Sequence, residues 1–127
     1  MRNFTEFVTF KTSSFKVPDP ATADNTCTID SDILPLRGLD RSREAVLAFT
    51  LISSGTVQLT MKFNSGKEFI KSDFNSPDPG STGPRVLQGI VSGDDLKGQD
   101  NKLKITAHGS GHVELSDFML SYHVTTG

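Results

Sequence analysis

The chain reads as an all-β fold, an antiparallel β-sandwich in a single domain spanning residues 1–127, and three observations carry that expectation. Leu103, Ile105 and Ala107 alternate with Lys102, Lys104 and Thr106, and beyond Gly109-Ser110-Gly111 the residues Val113, Leu115 and Asp117 alternate with Glu114 and Ser116. Leu47, Phe49 and Leu51 alternate with Ala48 and Thr50, and after Ser53-Ser54-Gly55 a second run sets Val57, Leu59, Met61 and Phe63 against Gln58, Thr60 and Lys62. A period of two marks strands with one buried and one wet face. Nowhere does an apolar stripe recur at helical spacing, which argues against helix bundles and α/β folds.

In chain order, Phe4, Val8 and Phe10, then Phe15 and Val17 before Pro18, read as one or two short strands, and Asp19 to Asn25 reads as a loop from its Pro, Asp and Asn content. Cys27 to Ile29 is a short strand, and Ser31 to Arg43, with Pro35 and Gly38, resists assignment. The runs on either side of Ser53-Ser54-Gly55 read as a hairpin, and Asn64-Ser65-Gly66 turns the chain into a third short strand, Lys67 to Ile70. Asp73 to Pro84 holds three Pro and two Gly and reads as an exposed loop. Val86, Leu87, Ile90 and Val91 give a further strand, and Ser92 to Gly98 a single helical turn with Ser92 as its cap.

A chain of 127 residues can bury a core without disulfide or metal staples. Nine Phe, one Tyr and no Trp point to rings that fill a core rather than carry ligands. Thirteen Lys and Arg against fifteen Asp and Glu give a net charge of −2, with the basic residues scattered singly, which argues against nucleic acid as a partner. Cys27 stands alone and cannot form an internal disulfide; a small buried hydrophobe is expected there. The Phe-rich start is broken by Thr, Glu and Lys, so neither a signal peptide nor a membrane span is read in it, and a soluble chain of open compartment is expected.

Three places invite chemistry. In a three-residue hairpin His108 and His112 would face each other with Cβ atoms about 5 Å apart, and with Glu114 they suggest a zinc site, which needs three or four ligands. After Asp117 the apolar residues shift parity to Phe118, Leu120, Tyr122 and Val124. Such a phase flip predicts a β-bulge near Ser116 to Phe118 and leaves a carboxylate near the core, to be satisfied by backbone amides or a cation. Arg37, Arg41, Arg43 and Arg85 with Asp40, Asp73, Asn75 and Asp78 could form a polar rim for hydroxyl-rich ligands, the plainer reading being a solvated surface. The chain has no P-loop, no G-x-S-x-G and no H-E-x-x-H, and no ordered triad forms around His123, so no enzyme is expected.

The order LAFTLISSGTVQLTMKFNSGKEF, a variable loop, then GIVSGDDLKGQDNKLKITAHGSGHVELSDFMLSY resembles the galactose-binding-domain-like jelly rolls that include many carbohydrate-binding modules, over about residues 45–124. The likeness rests on the turn Phe63-Asn64-Ser65-Gly66, on Leu96-Lys97-Gly98-Gln99-Asp100-Asn101 and on Leu115-Ser116-Asp117-Phe118. It implies a jelly-roll sandwich in which an arch separates His108 from His112. It further implies that no cofactor is required, although a structural calcium can sit on Asp117 with oxygen ligands from Asp30 and Asp32. The function it implies is non-catalytic binding of a glycan through loops or one sheet face, with Asp73, Asn75, Asp78, Arg85 and Tyr122 as contacts. Such modules stack sugars on Trp or Tyr, and this chain offers Tyr122 alone. The alternative is a structural or protein-interaction subunit of a larger assembly, with a protein partner or a second copy packing on the Phe-rich N-terminal arm. A small β-fold hydrolase comes third.

Overall fold

Alternation over Ala45–Phe63 produces one strand of 19 residues where the sequence suggested a hairpin. A computed structural model of the chain describes residues 2–29, 36–76 and 84–126, which form eight antiparallel strands and a short 3-10 turn at Gly93–Asp95. The strands are β1 (Arg2–Phe10), β2 (Phe15–Val17), β3 (Thr26–Ile29), β4 (Ala45–Phe63), β5 (Glu68–Ser76), β6 (Arg85–Val91), β7 (Leu103–Gly109) and β8 (His112–Thr126).

The sheet is built along β4. Its first half lies between β6 and β8, from Ala45 opposite Val91 to Ser54 opposite His112. Its second half lies between β5 and β7, from Val57 opposite Gly109 to Phe63 opposite Leu103. The strands β1 and β2 extend the first half beyond β8, and β3 extends the second beyond β7. Along β4 the residues at odd positions are buried from Ala45 to Ser53 and again from Val57 to Phe63, so one face of the strand stays inside throughout. The inner faces of both halves join in one apolar cluster, with Leu36 and Leu96 entering it from connecting segments.

The bend between the halves explains the Gly-rich tips. Gly55 has a φ of +75°, and a Cβ there would meet Gly111 Cα at 3.0 Å. Gly109 has a φ of +125°, and Gly111 donates its N–H to the Thr56 carbonyl at 2.8 Å. Backbone therefore lies on backbone at the corner, the kind of close approach that glycine in a strand permits. The chain does not reverse at Ser110. β7 and β8 follow β4 one after the other, both antiparallel to it, so neither tip is a hairpin. His108 sits opposite Gln58 on one half and His112 opposite Ser54 on the other, which removes the facing pair the hairpin required.

Three other expectations change. β5 runs on to Ser76, so Asp73 and Asn75 belong to a strand rather than a loop. Its continuation escapes notice because beyond Ile70 the outward positions Lys71, Asp73 and Asn75 are polar and of the inward pair Ser72 and Phe74 only one is apolar. Ser92 precedes the 3-10 turn but makes no side-chain cap. The bulge is where the parity shift put it: Ala48 pairs with Met119 and Thr50 with Ser116, and Asp117 has a φ of +54°. Val113 and Leu115 before it, and Phe118, Leu120, Tyr122 and Val124 after it, all point into the core. The Asp117 carboxylate is exposed, with the Ser116 hydroxyl 3.4 Å away, because the bulge swings it outward.

The two loose motifs around Asn64 and Asn101 prove to be one unit. Asn64 donates through Nδ2 to the Asp95 carbonyl at 2.7 Å and to Asn101 Oδ1 at 3.1 Å, and accepts from Lys102 N–H at 2.9 Å. Asn101, fully buried, accepts from Lys97 N–H and donates to the Lys97 carbonyl, both at 2.8 Å. Replacing Asn101 by Ala strands these partners in the interior, and a loss of about 2 kcal/mol is expected in urea denaturation.

Candidate functional site: an apolar outer face

Register assigns every strand residue to an inner or an outer face, and the outer faces of the two halves differ in chemistry. On the second half the row Asp73, Gln58 and His108 is followed by Lys71, Thr60, Thr106 and Thr26, then by Lys62, Lys104 and Thr28. All are polar. On the first half one row runs Phe7, Ser121, Val46 and Ile90, and the next Thr9, Met119, Ala48 and Gln88, with Thr50 and Val86 beyond. There Phe7 is 63% exposed, Ile90 63%, Val86 68% and Met119 36%.

An antiparallel sheet with one solvated face normally alternates apolar with polar side chains. The first half does not. Its strands contain neighbouring apolar residues, Val46-Leu47-Ala48-Phe49, Val86-Leu87, Ile90-Val91 and Met119-Leu120, and neighbours in a strand point to opposite faces. That run-on signal was present in the sequence, masked by reading only the buried member of each pair. Beside the bulge the face sinks into a cavity of about 280 Å³ lined by Ala48, Thr50, Val86, Asp117 and Met119.

The expected ligand residues do not meet on one surface. Asp73 accepts from Gln58 Nε2 at 3.1 Å and Asn75 from the Thr56 hydroxyl at 3.2 Å, on the outer face of the second half. Arg85 donates to the Ser53 hydroxyl at 3.0 Å and lies 5.3 Å from the Phe74 ring, at the bend. Tyr122, 6% exposed, is on the inner face, where burial, and then the charge of Glu6, push its hydroxyl pKa up. A buried ring cannot serve as a sugar platform, and Tyr122 is a core residue instead. Asp78, Asp30 and Asp32 lie outside the described residues. Among the described residues no group of three His, Cys, Asp or Glu side chains comes within reach of one metal ion. The half-buried Cys27 faces inward opposite Ile105, and desolvation raises its thiol pKa.

Of the polar rim, Arg41 donates to the Asp94 carbonyl at 2.8 Å near the start of β4, well away from Arg85. Asp40 accepts from the Ser42 amide and hydroxyl and from the Thr125 hydroxyl, and these bonds lower its carboxyl pKa to about 2. An Asp depressed below its unfolded value of about 3.9 stabilises the fold above that pH, and the contribution is lost as pH falls through the folded value. Asp40→Asn is therefore expected to lower the melting temperature at neutral pH and to flatten its acid limb towards pH of about 2.

No family model matches the chain, and no curated protein matches it in sequence. Among solved structures, dimeric latent PorU from Porphyromonas gingivalis contains a region similar to 98% of this chain, with a TM-score of 0.70 and 15% identity. The chain spans 13% of that protein's length. The fold is shared with one part of PorU. Structures of infectious bursal disease virus, Gx and Gt strains, align over 99% of the chain and 33% and 37% of theirs, at 9% and 13% identity and TM-scores of 0.46 and 0.34. These two scores are too low to carry an argument.

Proposed function

We propose that the chain is a non-catalytic structural and protein-interaction domain of a larger protein or assembly, docking through the outer face of its first half. One observation carries the reading: four large apolar side chains, Phe7, Val86, Ile90 and Met119, stand exposed on one sheet face while the other outer face is polar. Soluble monomers rarely expose contiguous apolar surface on this scale without a partner for it. The occurrence of the same fold as 13% of the PorU chain supports a role as a building block. The test is a photo-cross-linking side chain at position 90, with position 71 on the polar face as control, in the cells that make the protein. A discrete protein adduct from 90 and none from 71 is expected; silence from 90, or turnover of an ester or glycoside by the purified chain, overturns the reading.

Glycan binding is the second reading, favoured by the amides and hydroxyls of Gln58, Thr106 and Asn75 on the polar face. The likeness to galactose-binding jelly rolls belongs with it, supported by the Asn64–Asn101 unit that joins two of its motifs. So does a calcium on Asp117, Asp30 and Asp32, which a rise in melting temperature on calcium addition would support. Array binding to one sugar class, abolished by Gln58→Ala, would move the function to that face.

A further inference from the structure

The apolar face carries both a knob and a hole, and we infer that it packs against the same face of a second copy of this chain across a two-fold axis. This rests on the docking reading above and names the partner. The knob is Phe7, on the edge strand β1 and 63% exposed. The hole is the cavity of about 280 Å³ floored by Ala48 and Thr50 between Met119 and Val86. The bulge opens it: between the Ala48–Met119 and Thr50–Ser116 pairs the ladder skips Phe49, and the extra residue of β8 pushes that strand aside.

An isologous contact requires that whatever protrudes from a patch meets a recess in the same patch. Phe7 and the cavity lie two strands and about three residues apart, roughly 10 Å across and 10 Å along the sheet. An axis in the plane of the face, midway between them, exchanges the two and seats each Phe7 in the other copy's cavity. It also turns the strands of the copies nearly at right angles, one of the two regular ways in which sheets pack. A face four strands wide and as long as nine-residue β1 measures about 600 Å² in plan, at the lower end of what each partner of a stable complex buries. The two central rows hold no Lys, Arg, Asp or Glu, and the exposed Asp117 carboxylate on the cavity wall is the one charged group that lines the hole.

Light scattering and sedimentation of the full chain, over a concentration series, test the pairing. A dimer is expected, with a dissociation constant in the micromolar range for so modest an area. Phe7→Ser, which empties the hole, and Ala48→Gln, which fills it, should each weaken the dimer by about tenfold or more, with circular dichroism unchanged. Lys71→Ser on the polar face should leave it intact. A monomer throughout the series, or a dimer that survives both Phe7→Ser and Ala48→Gln, overturns the inference. If a monomeric chain still cross-links from position 90 to a different protein, the second copy is excluded and the docking reading stands; if position 90 yields nothing, both fall.

Discussion

Gly111→Ala is expected to destabilise the protein by about 3 kcal/mol or more, because the new methyl has no direction in which to yield. A Cβ at this position would lie 2.2 Å from the Ser54 carbonyl oxygen, 2.8 Å from Gly55 C and 2.9 Å from Thr56 N. All three are backbone atoms of β4 at the bend. To relieve the overlap β8 must lift off β4, which breaks the bond from Gly111 N–H to the Thr56 carbonyl and disturbs both halves together. Ser110→Ala next to it, on an exposed side chain, should stay within about 0.5 kcal/mol of the parent. Urea denaturation of the two variants measures the difference, and equal midpoints would show that the corner tolerates a side chain.

Phe118→Ala should cost about 4 kcal/mol, the range for removing a buried aromatic whose neighbours cannot collapse. Its ring, fully buried, has its centroid 5.5 Å from that of Phe10, 6.0 Å from Phe15 and 5.3 Å from Phe49. Those residues come from β1, β2 and β4, so one ring ties three strands to β8. Phe118→Leu keeps much of the volume and should cost less than half as much. If truncation to Ala shifts the midpoint no further than Leu does, the cluster is loosely packed and the core has its anchor elsewhere.

Alternation was enough to place most strand interiors, because burial of one face imposes a period of two wherever a strand meets a core. The Asp117 bulge was legible for the same reason: a single extra residue inverts parity, and Phe118 and Leu120 record it. The bend at Ser53-Ser54-Gly55 was not legible, since a Ser-Gly tip fits a tight reversal and a bend within a strand equally well. What separates them is the register of β6 and β8, supplied by residues 30 to 70 positions further along the chain. The apolar face was hidden in a different way. Phe7, Val46, Val86, Ile90 and Met119 come from four strands, each looking like an ordinary lapse in alternation until pairing sets them side by side. Tyr122 misled because its residue type suggested a ligand platform, while its parity, shared with Leu120 and Val124, already assigned it to the interior.

The pairing of β1 with β8 over all nine residues of β1 matters most during synthesis. Among the described strands β1 pairs with β8 alone, so Val8 and Phe10 are synthesised long before the strand that helps to cover them. Closure must wait on non-local contacts, which form slowly in β topologies. Until β1 docks on it, the newly made β8 presents an open edge that accepts a strand from any chain. The nearest identical strand belongs to the neighbouring nascent copy, so exchange of β1 between molecules is the misassembly this topology invites, and rapid capture of the N-terminal segment is what correct folding has to achieve.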